Sequence, residues 1–144
     1  ILIGVDHYGT RLITVADDSL LRREKENFLK LFISQIYGFD QATFSEQVSK
    51  AGDLMSQSLW NEKKEEFTRI AEKITDAPLS QQVQILEIRQ SDDNAFQADL
   101  KIQIDRKLTK TEIKIRLDLK IHPHARSNEN PYPFEVEQYD EQNI

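Results

Sequence analysis

Two stretches of strict alternation constrain this chain more than anything else in it. Ala98, Leu100, Ile102 and Ile104 alternate with Gln97, Asp99, Lys101, Gln103 and Asp105, and Ile113, Ile115, Leu117, Leu119 and Ile121 alternate with Lys114, Arg116, Asp118 and Lys120. Successive side chains of a strand point to opposite faces, so period two at this length demands one dry face and one wet face. At ~3.3 Å per residue each strand runs for ~30 Å, enough to carry a layer of helices. Arg106-Lys107-Leu108-Thr109-Lys110 between them reads as a hairpin turn. An earlier strand, Gln82 to Arg89, changes phase: Val83 and Ile85 point one way, then Leu86 and Ile88 the other, as one extra residue at a β-bulge would cause. Ser91-Asp92-Asp93-Asn94 is the turn after it, and a last strand runs from Phe134 to Tyr139.

The first half reads as helices. Asp17-Asp18-Ser19 offers caps for a helix reaching Tyr37, with Phe28, Leu31, Phe32 and Ile36 on one stripe and Leu29, Ile33 and Tyr37 on a second beside it. So wide an apolar arc is covered on two sides, by the fold or by a second copy of the chain, and Leu29, Ile33 and Tyr37 are the candidate self-association residues. Gly38 stands where a left-handed C-cap is expected, and Phe39 folds back onto Ile33. Asp40 caps a second helix reaching Lys50, with Phe44 and Val48 inward. Asp53 caps a third, carrying Leu59, Phe67, Ile70 and Ile74, and Asp76-Ala77-Pro78 ends it. Residues 1–16, with β-type residues on both sides of Asp6-His7-Tyr8-Gly9, read as a small hairpin or an extended lead-in. The layout is one domain over 1–144, with a helical layer over 17–75 and a sheet over 81–140. Helices first and strands after give an α+β fold, three helices on four antiparallel strands.

Composition narrows the function. Of 144 residues, 19 are Lys or Arg and 25 are Asp or Glu, and a net charge of −6 makes a poor non-specific binder of nucleic acid. With no cysteine there is no disulfide framework, thiolate nucleophile or thiolate zinc site. No run approaches the ~18 apolar residues of a membrane span. The chain opens on Ile1 rather than Met, and the expectation is a piece of a longer protein with an anchor or signal upstream.

Few residues carry chemistry. His122-Pro123-His124 puts two imidazoles on one face of a strand end, either a polar terminus or part of a metal site with no third ligand fixed by spacing. His7 belongs to no recognisable ligand set. The four glycines make no phosphate loop, and no nucleophile, base and carboxylate share a local motif. The dry face of the long strands carries no titratable residue, which argues against a catalytic cavity lined by them. No catalytic residue, cofactor or metal is assigned. The wet face, mixing Lys101, Lys114, Arg116 and Lys120 with Asp99, Asp105 and Asp118, serves solubility or docks a polar partner.

The most informative segment is Asn130-Pro131-Tyr132-Pro133-Phe134-Glu135-Val136-Glu137-Gln138-Tyr139. Its prolines stiffen the approach to the last strand. The pattern resembles the Asn-Pro-x-Gly-Phe-x-Val-x-x-Tyr signature of the periplasmic domains of VirB-component-eight-like and TraE-like proteins, inner-membrane assembly factors of bacterial type IV secretion. The order of elements, Phe39-Asp40-x-x-x-Phe44, Ala51-Gly52-Asp53-Leu54-Met55 and Leu59-Trp60 are similar too. Proline stands at 133 where the family has glycine.

The resemblance implies a roll like that of nuclear transport factor two, a curved sheet wrapped around a long helix. It implies the periplasmic domain of a bitopic inner-membrane protein, non-catalytic, working through protein–protein contacts with other channel subunits and as a weak homodimer, without nucleic acid. Asn130, Pro131, Tyr132, Pro133, Phe134 and Tyr139 are the candidate partner-binding residues. The rival is a small-ligand binder or isomerase-like enzyme on the same cone-shaped fold. The two differ in the hollow of the sheet: a scaffold fills it with Ile and Leu, an enzyme lines it with inward Asp, His or Tyr.

Overall fold

The computed structural model describes the backbone of residues 7–144 and the side chains from Leu20 onward. Three helices, α1 (His7–Tyr37), α2 (Phe44–Asp53) and α3 (Gln57–Asp76), precede four long strands, β2 (Leu79–Asp92), β3 (Ala95–Arg106), β4 (Lys110–Pro123) and β5 (Phe134–Asn143). A two-residue strand, β1 (Phe39–Asp40), lies between α1 and α2. The five strands form one antiparallel sheet in chain order. The fold is the α+β roll expected, with five strands rather than four. The added strand is too short for any period-two signal: Phe39 and Asp40 pair with Gln81 and Ser80 and extend the sheet by one rung pair.

The alternation at 97–105 and 113–121 sets both the ladder and the core. Phe96↔Leu119, Ala98↔Leu117, Leu100↔Ile115 and Ile102↔Ile113 face each other across β3 and β4 on the dry side. All are buried except Ile113, 39% exposed where the sheet runs past its helical cover. Fully burying one such side chain contributes roughly 1.5–3 kcal/mol. From the other layer Phe28, Leu29, Phe32, Ile33 and Ile36 of α1 enter the same core.

Local details sharpen or correct the reading. The bulge in β2 falls between Ile85 and Glu87, so Leu86 is the extra residue and stands 45% exposed. Because the bulge restores the phase, Ile88 returns to the core side with Val83 and Ile85 instead of turning away. Thr43, not Asp40, stands at the N-cap of the second helix, though its hydroxyl caps no amide there, and Asp40 Oδ1 accepts from the amides of Ala42 and Thr43 at 2.8 and 2.9 Å in the turn before it. The third is capped by Ser56, whose hydroxyl accepts from the Leu59 amide at 3.1 Å, rather than by Asp53, which ends α2. No described residue has positive φ, so Gly38 is not a left-handed cap. It is there for space: a Cβ at 38 would sit 2.8 Å from the carbonyl oxygen of Ser34. Phe39 packs edge-on against Phe44, ring centroids 4.7 Å apart.

The hairpin or lead-in expected over 1–16 lies outside the described residues up to residue 6, and from His7 the backbone is already helical. The β-branched residues there cost a helix only up to ~0.7 kcal/mol each. Extending a helix already nucleated by the packed turns from Phe28 to Tyr37 gains a hydrogen bond per residue. Among the described residues no helix is long and apolar enough to cross a membrane.

Candidate functional site: the loop before the last strand and the groove under the helices

Residues 124–133 join β4 to β5, and the backbone is closed on itself by hydrogen bonds that Asn130 organises. Its Nδ2 donates to the carbonyl of Phe134 at 2.7 Å and its Oδ1 accepts from the amide of Tyr132 at 3.0 Å. Its own amide donates to the Ser127 hydroxyl at 3.0 Å, and the Ser127 amide donates back to the Asn130 carbonyl at 2.9 Å. With both ends of the amide satisfied, an asparagine 3% exposed is affordable where an unpaired one is not. The amide of His124 donates to the Pro133 carbonyl at 2.9 Å, closing the base of the loop. Arg126 ties it to the helical layer, donating to the Pro131 carbonyl at 2.5 Å and pairing with Glu24 of α1 at 3.4 Å.

The signature residues therefore divide. Asn130, Phe134 and Tyr139 are buried and hold the fold: Phe134 packs on Phe28 and Tyr139 on Phe32, with centroids 5.9 and 5.6 Å apart. Val136 is clamped from a third side, donating to the Leu54 carbonyl at 2.7 Å and accepting from the Ser56 amide at 2.9 Å. Pro131 is exposed, and Tyr132 and Pro133 are half-buried, with Tyr132 leaning on Phe28 at 5.6 Å. Of the six candidate partner-binding residues, these three alone present surface. Pro133 fits where the family carries glycine because the turn uses no positive φ.

Leu29 and Ile33 are fully buried and Tyr37 is 6% exposed. The fold covers Leu29 and Ile33 completely, so these two offer nothing to a second copy and their assignment to self-association is corrected, while Tyr37 touches the outside only where it borders a groove. The arc is wide because α2 and the sheet cover α1 from different directions.

Beside the loop, His122 Nε2 lies 2.7 Å from Glu135 Oε1, and His124 Nε2 lies 3.6 Å from the other oxygen of the same carboxylate. Both imidazoles do sit on one face, as strand alternation requires, and they meet a glutamate across the ladder. Among the described residues no three are arranged to hold a metal ion. The wet face of the sheet is knitted to itself. Asp99 is 2.9 Å from Arg116 and 3.0 Å from Arg89, and the hydrogen bonds from these guanidiniums hold its carboxyl well below the usual carboxylate range.

The dry side is not filled throughout. A groove of about 730 Å³ opens between α3 and the sheet, walled by Ile36, Ile70, Ile74, Ile102 and Ile115. This corrects the expectation of a solid core, and the period-two pattern could not reveal it: the pattern tells which face is apolar, not whether the helices above reach to its end. Two tyrosines border the groove. Tyr37 donates its hydroxyl to Glu141, and burial first, then the Glu141 charge and that hydrogen bond, push its pKa far above the ordinary phenol value. Burial, followed by the charge of Glu66, does the same to Tyr139, over whose ring Lys63 sits 4.6 Å from the centroid. Hydroxyls held neutral in this way do not act as bases at ordinary pH.

No family model matches the chain, and no curated protein matches it in sequence. Solved structures do match. The VirB8 protein of Agrobacterium tumefaciens superposes with a TM-score of 0.76 at 8% identity, covering 85% of this chain and 92% of that one. TraE in complex with 2-chloroisonicotinic acid gives 0.71 at 9% identity, covering 83% and 94%. The soluble domain of TrwG from the type IV secretion machinery of Bartonella grahamii gives 0.69 at 13% identity, covering 83% and 92%. The resemblance read from Asn130 to Tyr139 and these superpositions point the same way: the fold of this chain is the one that VirB8, TraE and TrwG carry.

Proposed function

We propose that the chain is a non-catalytic assembly domain of a bacterial type IV secretion apparatus, the periplasmic part of a bitopic inner-membrane protein that contacts other channel subunits and pairs weakly with itself. The observation that carries this reading is the loop over 124–133. It is braced internally by Asn130 and externally by Arg126, and so holds Pro131, Tyr132 and Pro133 outward on a support that loses little entropy on binding. A proline-rich, aromatic ridge on a rigid base suits protein docking.

The test is binding between this domain and the products of its neighbouring genes. Tyr132→Ala and Pro131→Ala should weaken capture of a channel subunit about tenfold or more with an unchanged melting temperature. Unaltered capture by both variants, or no binding to any neighbour's product, overturns the proposal.

The groove favours a second reading, a site for a small apolar ligand on the same fold. Its isoleucine walls support a ligand site, and TraE, which shares this fold, is known in complex with a small aromatic acid.

A further inference from the structure

The hairpin joining β3 to β4 ends in a leucine with no place in its own molecule. Leu108 is 92% exposed, more than any other large apolar residue described. Arg106, Lys107 and Lys110 surround it, all exposed, and none has a carboxylate within ion-pairing distance among the described residues. A single exposed leucine is ordinary. A leucine between cations, on a chain of net charge −6 and two residues from Arg106 on the wall of an apolar groove, calls for an explanation.

The hairpin is itself a wall of that groove, since Ile102, Arg106 and Ile113 line it. The β3–β4 ladder stays paired out to Asp105↔Lys110, and the Arg106 amide donates to the Thr109 carbonyl at 2.8 Å, so the tip is held outward. Leu108 cannot turn into its own groove without breaking those rungs. A second copy has no such obstacle. Three carboxylates border the groove, Glu66, Asp76 and Glu141, against two cations, Lys73 and Arg106, and the tip brings Lys107 and Lys110. Arg106, at the base of the tip, lines the groove, and a two-fold axis beside it would set each copy's tip in the other's groove, as a closed dimer requires.

We propose that two copies of this domain pair by reciprocal insertion of the Leu108 tip into the groove between α3 and the sheet, with Lys107 and Lys110 facing the partner copy's Glu66 and Asp76. Two leucines and a few solvent-exposed ion pairs make a weak, salt-sensitive dimer. The proposal deepens the self-association named in the proposed function and rests on that part alone. It does not use the 124–133 loop, so either can fail while the other stands.

Sedimentation equilibrium across micromolar to millimolar protein should give a reversible dimer that weakens with added salt. Leu108→Asp and the double variant Lys107→Glu/Lys110→Glu should each raise its dissociation constant about tenfold or more with the melting temperature unchanged. Chains carrying Lys107→Glu/Lys110→Glu, mixed with chains carrying Glu66→Lys/Asp76→Lys, should recover association that neither shows alone. The chain has no cysteine, so Leu108→Cys mixed with Ile70→Cys should give a disulfide-linked dimer on mild oxidation. A wild type monomeric at millimolar concentration overturns the proposal, as does a dimer indifferent to Leu108→Asp. A monomer whose groove takes up the apolar dye anilinonaphthalene sulfonate overturns it in favour of the ligand reading.

Discussion

Asn130 and Phe134 are joined by one buried hydrogen bond, Nδ2 to carbonyl oxygen at 2.7 Å, and through it the last strand is fastened to the loop that precedes it. Asn130→Ala leaves the Phe134 carbonyl and the Tyr132 amide without partners in a site 3% exposed. The cost should be ~1–3 kcal/mol for each buried group left unsatisfied. Asn130→Asp keeps the acceptor and replaces the donor by an oxygen facing another oxygen, so it should cost at least as much. Urea unfolding of the three proteins measures this. A change well under 1 kcal/mol in both variants would show that water replaces the amide and that the signature asparagine does not hold the loop.

Gly38, expected as a helix cap, makes a second test, because its role here is steric. The Cβ of Gly38→Ala would stand 2.8 Å from the Ser34 carbonyl oxygen, a backbone atom that also accepts the Gly38 amide at 2.9 Å. Relief requires moving the end of α1 away from β1, and overpacking of this kind costs ~1–3 kcal/mol. A neutral or stabilising effect in thermal melts would mean that the α1–β1 junction yields freely.

How much of this was legible without coordinates depends on what kind of signal each feature leaves. The β3–β4 ladder left period two in the sequence, so Leu100, Ile102, Ile115 and Leu117 could be assigned to the core outright. The bulge at Leu86 left a break in that period, although which residue was extra required the pairing of Ile85 and Glu87. Strand β1 and the N-cap positions of Thr43 and Ser56 were not recoverable, because Asp40 and Asp53 are equally good caps by residue type and only the chain's path chooses among them. The groove was invisible for a related reason: Ile113 reads as core by its pattern, and nothing in that pattern says that it stands 39% exposed on the groove wall. In the loop before β5, sequence could not divide the signature into buried Asn130, Phe134 and Tyr139 and surface-presenting Pro131, Tyr132 and Pro133.

Asp99 gives a pH test. Its carboxyl is depressed in the folded state by hydrogen bonds from Arg89 and Arg116, while in the unfolded chain it titrates near ~3.9. A depressed carboxyl stabilises fully above its unfolded pKa, and that stability is lost as pH falls through the range down to the folded value. Wild type should therefore exceed Asp99→Asn in melting temperature at about pH 7, and the gap should narrow steadily below about pH 4. With the pair at the sheet surface, its arginines about a third exposed, the gap should also shrink in high salt. A gap independent of pH would assign the effect to packing.

Tyr37 and Tyr139 test the opposite end of the scale. Both phenols are raised, by burial first and by neighbouring carboxylates second, whereas the unfolded chain ionises them near ~10. Their neutral forms are favoured only in the folded state, so the stability they contribute is complete below about pH 10 and drains away as pH rises beyond it. Of the four tyrosines, these two should stay silent in a tyrosinate absorbance titration while the protein is folded, then appear together with loss of the circular dichroism signal. Tyr37→Phe should remove one silent group and shift alkaline unfolding to higher pH. It should also lower stability at neutral pH, because Glu141 loses its hydroxyl donor. Smooth ionisation of all four tyrosines near their ordinary value in the folded protein would mean that water reaches these two phenols, and their burial at the groove wall would fail with it.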